Sequence, residues 1–265
     1  MNKSILQGVA LLILFFGLFY ALSFIDFTKH FNIEKRKTVA ENSIGNLIWN
    51  QIQKTETEVL KDSLLQTLDS LLIPICKANK INRDSIKLHF VVKDEVNAFA
   101  LPNNHLVVYT GLIEKCQKQE ALQGVLGHEI AHIQNNHVMK KLSKEIGLSV
   151  ILSATAGEKG GAIIKEILKK LSSTAYDRNL EKEADITAVD YLVKAKINPK
   201  PLADFMFELA QENSEPFIFS WIANHPESEE RAKYILNYSK QFEFKSKETI
   251  SNSNWKNFQK KVKME

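Results

Sequence analysis

The stretch "VLGHEIAHIQ", residues 125–134, decides how the rest of the chain is interpreted. It places His128 and His132 four residues apart in a run that is otherwise mostly apolar. On an α-helix four residues turn through roughly 400°, so the two imidazoles lie one above the other on the same face. Two histidine nitrogens in that arrangement can bind one Zn²⁺. Glu129 is rotated by about 100° and can flank the ion without binding it. The pattern predicts a zinc site with its own general base.

The alternative is a solvated helix face with ordinary hydrogen-bonded histidines. The apolar neighbours argue against it, because buried histidines and a buried glutamate need partners that offset their desolvation. A third ligand must then come from elsewhere, and the segment "YDRNLEKEADITAVDYL", residues 176–192, offers acidic residues on a second predicted helix. Glu181 and Asp185 share a face there, so Glu181 can bind the metal while Asp185 accepts a hydrogen bond from a ligand histidine. Glu183 is expected to be solvated, and His137 to lie on the surface or to contact a ligand.

Four blocks of sequence together resemble peptidase family M48, a gluzincin group of zinc metallopeptidases. They are "NAFALPNNHLVVYTGL" (97–112), "HEIAH" (128–132), "RNLEKEAD" (178–185) and "NHPESEER" (224–231). The resemblance covers roughly residues 40–240 and implies an α+β fold, mostly helical with a small β-sheet. It makes Glu181 the third zinc ligand and aligns Asp185 with the family's aspartate. Asp177 stands where the family often has serine, which does not affect the metal ligands.

The chemistry implied by this resemblance is hydrolysis of peptide bonds by an endopeptidase with one Zn²⁺ per chain. Glu129 would take a proton from the attacking water and return it to the leaving amine. His225 and Arg231 are candidates for support of the transition state. For His225 two other interpretations stay open: it binds the metal and blocks activity, or it only caps the turn before Pro226.

The segment Asn97, Ala98, Phe99 and Ala100 is placed by the resemblance at the edge of the substrate cleft. An exposed strand edge offers main-chain hydrogen bonds to an extended polypeptide, whereas an internal strand packed on both sides would not. This mode of binding predicts unfolded or misfolded envelope proteins as substrates. A second function class is a non-catalytic, chaperone-like binder of extended chains, or an assembly factor, on the same fold. The net charge of +4, without a basic-aromatic pattern, argues against a nucleic-acid partner.

The N-terminus predicts one transmembrane helix, because residues 5–25 are 21 residues without a charge. A cleaved signal peptide is the alternative. A single-pass membrane protein with a periplasmic or other extracytoplasmic domain is expected, although the positive charges after the span leave a cytoplasmic orientation open. The expected organisation is an anchor (1–25), a juxtamembrane connector (26–38), a zinc metallopeptidase domain (39–240) and a basic C-terminal tail (241–265) that lies loosely on the surface.

Hydrophobic periodicity predicts mostly helices in the proposed domain. A helical run covers residues 38–80, with Pro74 ending or kinking it. A strand is expected over 86–92, and two extended pieces over 96–113 with a turn at 102–104 between them. Further helices are expected at 119–142, 146–156, 162–171, 175–195, 201–212 and 227–239. Whether Cys76 and Cys116 pair is open at this point.

Overall fold

The computed structural model describes residues 7–8, 11–17, 20, 33–154, 160–211, 225–226, 228–242 and 245–265. The chain divides into two compact units, Met1–Ala40 and Glu41–Glu265. Most of the predicted anchor and of the connector lies outside the described residues. The described residues of the predicted anchor are helical and exposed; they are 7–8, 11–17 and 20. Over the described ranges, none of the helices combines the length and apolar character that crossing a membrane requires.

From residue 33 onward the described part of the chain is dominated by helices, as predicted. In chain order they are α1 Ile33–Ile52, α2 Asp62–Ala78, α3 Thr110–Lys115, α4 Gln119–Gln134, α5 His137–Glu145, α6 Leu148–Ala154, α7 Gly160–Ser173, α8 Arg178–Lys194, α9 Lys200–Gln211, α10 Ser228–Ser239 and α11 Asn252–Val262. Side-chain caps begin α8 and α11. The Asp177 side chain accepts a hydrogen bond from the Asn179 N–H at the start of α8, at 2.9 Å.

A four-stranded sheet completes the fold: β1 Thr57–Glu58, β2 Lys87–Val92, β3 Ala98–Leu101 and β4 His105–Tyr109. The strand order is β1-β2-β4-β3, with β2 and β4 parallel and the two outer pairs antiparallel. The predicted strands and the turn between β3 and β4 are confirmed, but residues 110–113, predicted as extended, begin helix α3 instead. Asn103 and Asn104 adopt φ of 63° and 58° in that turn, a left-handed conformation that asparagine tolerates. Among the described residues β3 pairs with β4 alone, so it is an edge strand.

Two predicted helices are interrupted. The run over 38–80 separates into α1 and α2, with β1 between them, and α2 continues past Pro74 to Ala78. The helix predicted over 119–142 ends at Gln134, and α5 begins after Asn136, which adopts φ of 55°. A left-handed residue cannot continue an α-helix, so the chain changes direction there.

The expectation of a loosely docked C-terminal tail is wrong. Trp255, Phe258 and Val262 on α11 are at most 3% exposed. The Gln259 side chain donates hydrogen bonds to the carbonyls of Ile113 and Cys116, each at 2.8 Å. The three apolar residues recur at helical spacing, so they form one stripe that packs against the domain.

The interior is organised around α4, which packs against α8 and α9. Glycines permit the close approach: a Cβ atom on Gly124 would lie 2.5 Å from the Cβ of Leu202 on α9. Every residue from Gln119 to Ile133 except Glu120 is buried. The polar residues of α4 are therefore held in a dry environment, where they need polar partners. Cys76 and Cys116 are both buried free thiols.

Candidate metal centre

Side chains from α4, α8 and the segment before α10 converge on one point. His128, His132, Glu181 and His225 are all buried, and each offers one donor atom within 4.8 Å of the others. The two histidine Nε2 atoms are 2.9 Å apart. Glu181 approaches them from α8, with Oε1 at 3.3 Å from His132 Nε2 and Oε2 at 3.6 Å from His128 Nε2.

The outer ring nitrogens of the two histidines face away from this point. His128 Nδ1 lies 2.9 Å from Asp185 Oδ1, and His132 Nδ1 lies 3.0 Å from His137 Nδ1. Each ring therefore presents Nε2 to the centre. Two imidazole nitrogens and a carboxylate, dry and aimed at a common point, are the chemistry of a zinc donor set, so the residues present fit the ion.

A buried arginine holds the carboxylates of α8. Arg231 donates to both oxygens of Asp185 through Nε and Nη2 at 2.8 Å, and its Nη1 lies 2.6 Å from Glu181 Oε2. The Tyr234 hydroxyl also donates to Asp185. Burial alone would raise the pKa of Asp185 and of Glu181, but opposite charges outweigh it: Arg231 and then His128 for Asp185, His225 and then Arg231 for Glu181. Both carboxyls thus have pKa values well below their usual range.

Glu129 faces the same point from its own side of α4. It is fully buried, and its Oε2 accepts a hydrogen bond from the Ala100 N–H of β3 at 2.9 Å. Its Oε1 lies 3.5 Å from His225 Nε2. Burial raises the pKa of Glu129 to about 8. A carboxyl with a pKa in this range can both accept and return a proton near neutral pH.

A cavity of about 450 Å³ opens beside the cluster. Asn97, Phe99 and Ala100 line it on the β3 side, Leu168 and Leu171 on the α7 side, and His225 is also in its lining. An edge strand, a cavity and the polar cluster thus form one cleft.

Three residues of this region were not identified from the sequence as part of the site. The Tyr176 ring stacks on His132 with centroids 4.2 Å apart. Lys141 places its ammonium 4.3 Å from the Tyr176 ring centre, and Tyr234 contacts Asp185 as described above. Tyr176 directly precedes the N-cap of α8, whereas the sequence around Lys141 and Tyr234 carries no local signal. His137, expected on the surface or against a ligand, is buried and contacts His132.

Two imidazoles and a carboxylate on a shared point, with a buried glutamate next to them, define a metal-dependent hydrolase. Comparison with known proteins leads to the same class. The model described as "Peptidase family M48" matches residues 64–239, more than half of the chain. The chain therefore belongs to this family, and the resemblance drawn from the four sequence blocks is confirmed.

Three relatives show how far the similarity extends. Metalloprotease LoiP of Escherichia coli is 31% identical over 165 residues, which are 59% of this chain and 64% of the relative. The mitochondrial metalloendopeptidase OMA1 of Bos taurus is 26% identical over 206 residues, 71% of this chain and 39% of the relative. A putative beta-barrel assembly-enhancing protease of Vibrio cholerae is 28% identical over 136 residues, 46% of this chain and 28% of the relative. The chain thus spans less than two thirds of each of these relatives.

Proposed function

We propose that the protein is a zinc-dependent endopeptidase in which His128, His132 and Glu181 bind the ion and Glu129 is the general base. The observation that supports this most directly is the convergence of the donor atoms within 4.8 Å, next to an edge strand that is hydrogen-bonded to Glu129. When bound there, zinc would polarise the scissile carbonyl and acidify water.

The residues of the chain supply the rest of the chemistry. Ala100 N–H holds one oxygen of Glu129, which leaves the other directed toward the cluster to take a proton from water and return it to the leaving amine. Arg231 sets the position of Glu181 and Asp185. Because its guanidinium is already engaged with both carboxylates, we assign Arg231 to positioning instead of direct contact with the transition state.

His225 supplies a fourth donor to the cluster. We propose that this arrangement is a closed form, in which His225 must move before a substrate carbonyl can approach. The alternative is that His225 supports the transition state. The His225→Ala variant distinguishes the two, because peptidase activity would increase in the first case and decrease in the second.

We propose that substrates bind as an added strand along β3. Tyr109 N–H donates to the Asn97 carbonyl at 3.1 Å. Hydrogen-bonded and non-bonded pairs alternate in an antiparallel ladder, so the main-chain groups of Ala98 and Ala100 point away from β4. The Ala100 N–H is already donated to Glu129, which leaves the Ala98 groups and the Ala100 carbonyl for pairing. An extended peptide pairing there would pass beside Glu129. Main-chain pairing is tolerant of sequence, which favours unfolded or misfolded polypeptides as substrates and a quality-control role. The name of the Vibrio cholerae relative is compatible with a role in the cell envelope.

Membrane attachment through residues 5–25 is part of the proposal. It rests on the 21 uncharged residues and on the exposed apolar side chains of residues 11–16 in this segment. An extracytoplasmic location of the domain is proposed with it. Carbonate extraction followed by protease treatment of intact cells and spheroplasts tests both points. Release into the soluble fraction would contradict the anchor.

The enzymatic proposal is tested with metal analysis and casein cleavage on the same preparations. Glu129→Gln should retain one zinc per chain and lose activity by about 10²–10⁴-fold, because the side-chain shape and the acceptor for Ala100 are kept while the base is lost. Glu181→Ala should lose zinc. Glu114→Gln, at an exposed glutamate on α3, serves as the control. Wild-type protein that binds unfolded chains without chelator-sensitive cleavage would support the non-catalytic binder instead.

A further inference from the structure

His137 occupies a position that an uninterrupted helix would not provide. Five residues along such a helix turn through about 500°, so residue 137 would point about 140° away from residue 132. The left-handed conformation of Asn136 interrupts the helical path after α4, and the new helix α5 begins at His137. The ring of His137 is fully buried, and its centroid lies 5.0 Å from that of His132.

The contacts of His137 form a chain that ends on a carboxylate. Its Nε2 lies 3.3 Å from Glu183 Oε2, and its Nδ1 lies 3.0 Å from His132 Nδ1. A carboxylate only accepts hydrogen bonds, so the Nε2 of His137 carries a proton. A neutral His137 then has an accepting Nδ1. One proton must lie between the two facing Nδ1 atoms, and an accepting His137 Nδ1 places it on His132. On the other side of the ring, His128 Nε2 at 2.9 Å and Glu181 Oε1 at 3.3 Å favour a proton on His132 Nε2, so His137 and Glu183 act against these contacts.

We propose that His137 and Glu183 are positioning residues that fix the tautomer of His132. This inference rests on the metal site proposed above. With its proton on Nδ1, His132 presents an unprotonated Nε2 to Glu181 and His128, which is the form that can bind a cation. Asp185 does the same for His128 in one step. For His132, two residues are needed to fix the proton on Nδ1. The group nearest to His132 Nδ1 is the imidazole of His137, which could accept or donate a hydrogen bond, and Glu183 makes it an acceptor by binding the proton on its Nε2.

The alternative arrangement would have the opposite effect. If His137 donated from Nδ1, His132 would carry its proton on Nε2, and this nitrogen could not bind a metal. Removing Glu183 takes away the acceptor that excludes this arrangement. The Glu183 side chain is 50% exposed, so it can be replaced without opening a cavity in the core.

The test uses the full chain and zinc as the probe. His137→Phe keeps an aromatic ring but has no acceptor, and His137→Asn places an oxygen near the position of Nδ1. Glu183→Met removes the carboxylate, and Glu114→Met is the control at an exposed glutamate. Zinc affinity is measured by competition with a chromophoric chelator, and the His132 tautomer by ¹⁵N–¹H correlation spectra of the zinc-free protein.

Zinc affinity should fall by about 10–100-fold in His137→Phe and by a smaller factor in Glu183→Met, with near wild-type affinity in His137→Asn. Spectra of Glu183→Met should show His132 gaining the Nε2-protonated form. If His137→Phe does not fold, Glu183→Met decides alone. Unchanged affinity and an unchanged tautomer in Glu183→Met would overturn the inference. Absence of zinc binding by the wild type would instead overturn the proposed metal site, so the two failures are distinguishable.

Discussion

Lys141 provides a quantitative test of the region around the cleft. Its side chain is buried, and its ammonium donates to the carbonyls of Leu171 and Thr174, beside the Tyr176 ring. Burial lowers the pKa of Lys141 from 10.5 to about 8, against the attraction of nearby acidic groups such as Glu181. We consider the substitution Lys141→Met, which keeps a similar stem and removes the charge.

The direction in which the unfolding free energy changes with pH follows from proton binding. The folded-state pKa of Lys141 lies below the unfolded-state value, so the unfolded chain binds more protons between about pH 8 and 10.5. The free energy of unfolding of the wild type should therefore rise with pH in this window, relative to Lys141→Met. The difference between the folded-state and unfolded-state pKa of Lys141 corresponds to about 3 kcal/mol of unfolding free energy. The wild type should regain about 2 kcal/mol of this between pH 7.5 and 9.5, relative to Lys141→Met.

Urea denaturation with chelator present, followed by circular dichroism at both pH values, measures this difference. Comparing wild type with Lys141→Met cancels the tyrosines and other groups that titrate in both proteins. The exposed Lys140 on the same helix supplies the matched control, Lys140→Met, which should follow the wild type. A wild-type to Lys141→Met difference that stays constant from pH 7.5 to 9.5 would refute the assignment of a desolvated ammonium at Lys141.

Three further predictions concern stability. Trp255→Ala should cost about 3–5 kcal/mol in urea denaturation, because a buried indole is lost from the α11 interface; a cost near zero would mean that α11 is not docked. Gly45→Ala should cost about 1–3 kcal/mol, since its Cβ would lie 2.0 Å from the Pro102 carbonyl oxygen; an unchanged melting temperature would contradict this contact. Burial, and then His89, lower the pKa of His105 to about 3, so the unfolded chain binds more protons below about pH 6.5 and stability falls on acidification. Between pH 7.5 and 5.5, the free energy of unfolding should fall by about 1.4 kcal/mol less in His105→Asn than in the wild type. An identical pH profile in the variant would contradict the lowered pKa of His105.

Sequence periodicity was sufficient for much of the candidate site. The four-residue spacings predicted that His128 and His132, and Glu181 and Asp185, share helix faces, and the structure brings both pairs together as described. The alternating pattern of residues 86–92 predicted β2, and the turn at 102–104 separated the two extended pieces that contain β3 and β4. These predictions succeed because they depend on the helix period of 3.6 and the strand period of 2, which are local properties of the backbone.

Contacts between distant segments could not be read in this way. Arg231 is 46 residues from Asp185 in the chain, and no local period relates the two. The interruption at Asn136 was missed because asparagine is compatible with both helical and left-handed backbone, and packing decides between them. The apolar stripe of α11 was visible, but periodicity alone does not say whether a stripe meets a partner surface.

The amino-acid order alone determined which residues are candidates for metal binding and proton transfer and on which elements they lie. Only the tertiary structure decided how they are held: Ala100 against Glu129, Arg231 between two carboxylates, and His137 behind His132. The physical reason is that a side chain's type and its helix face follow from nearest neighbours along the chain. The partners that satisfy it in a dry interior follow from how separate elements pack.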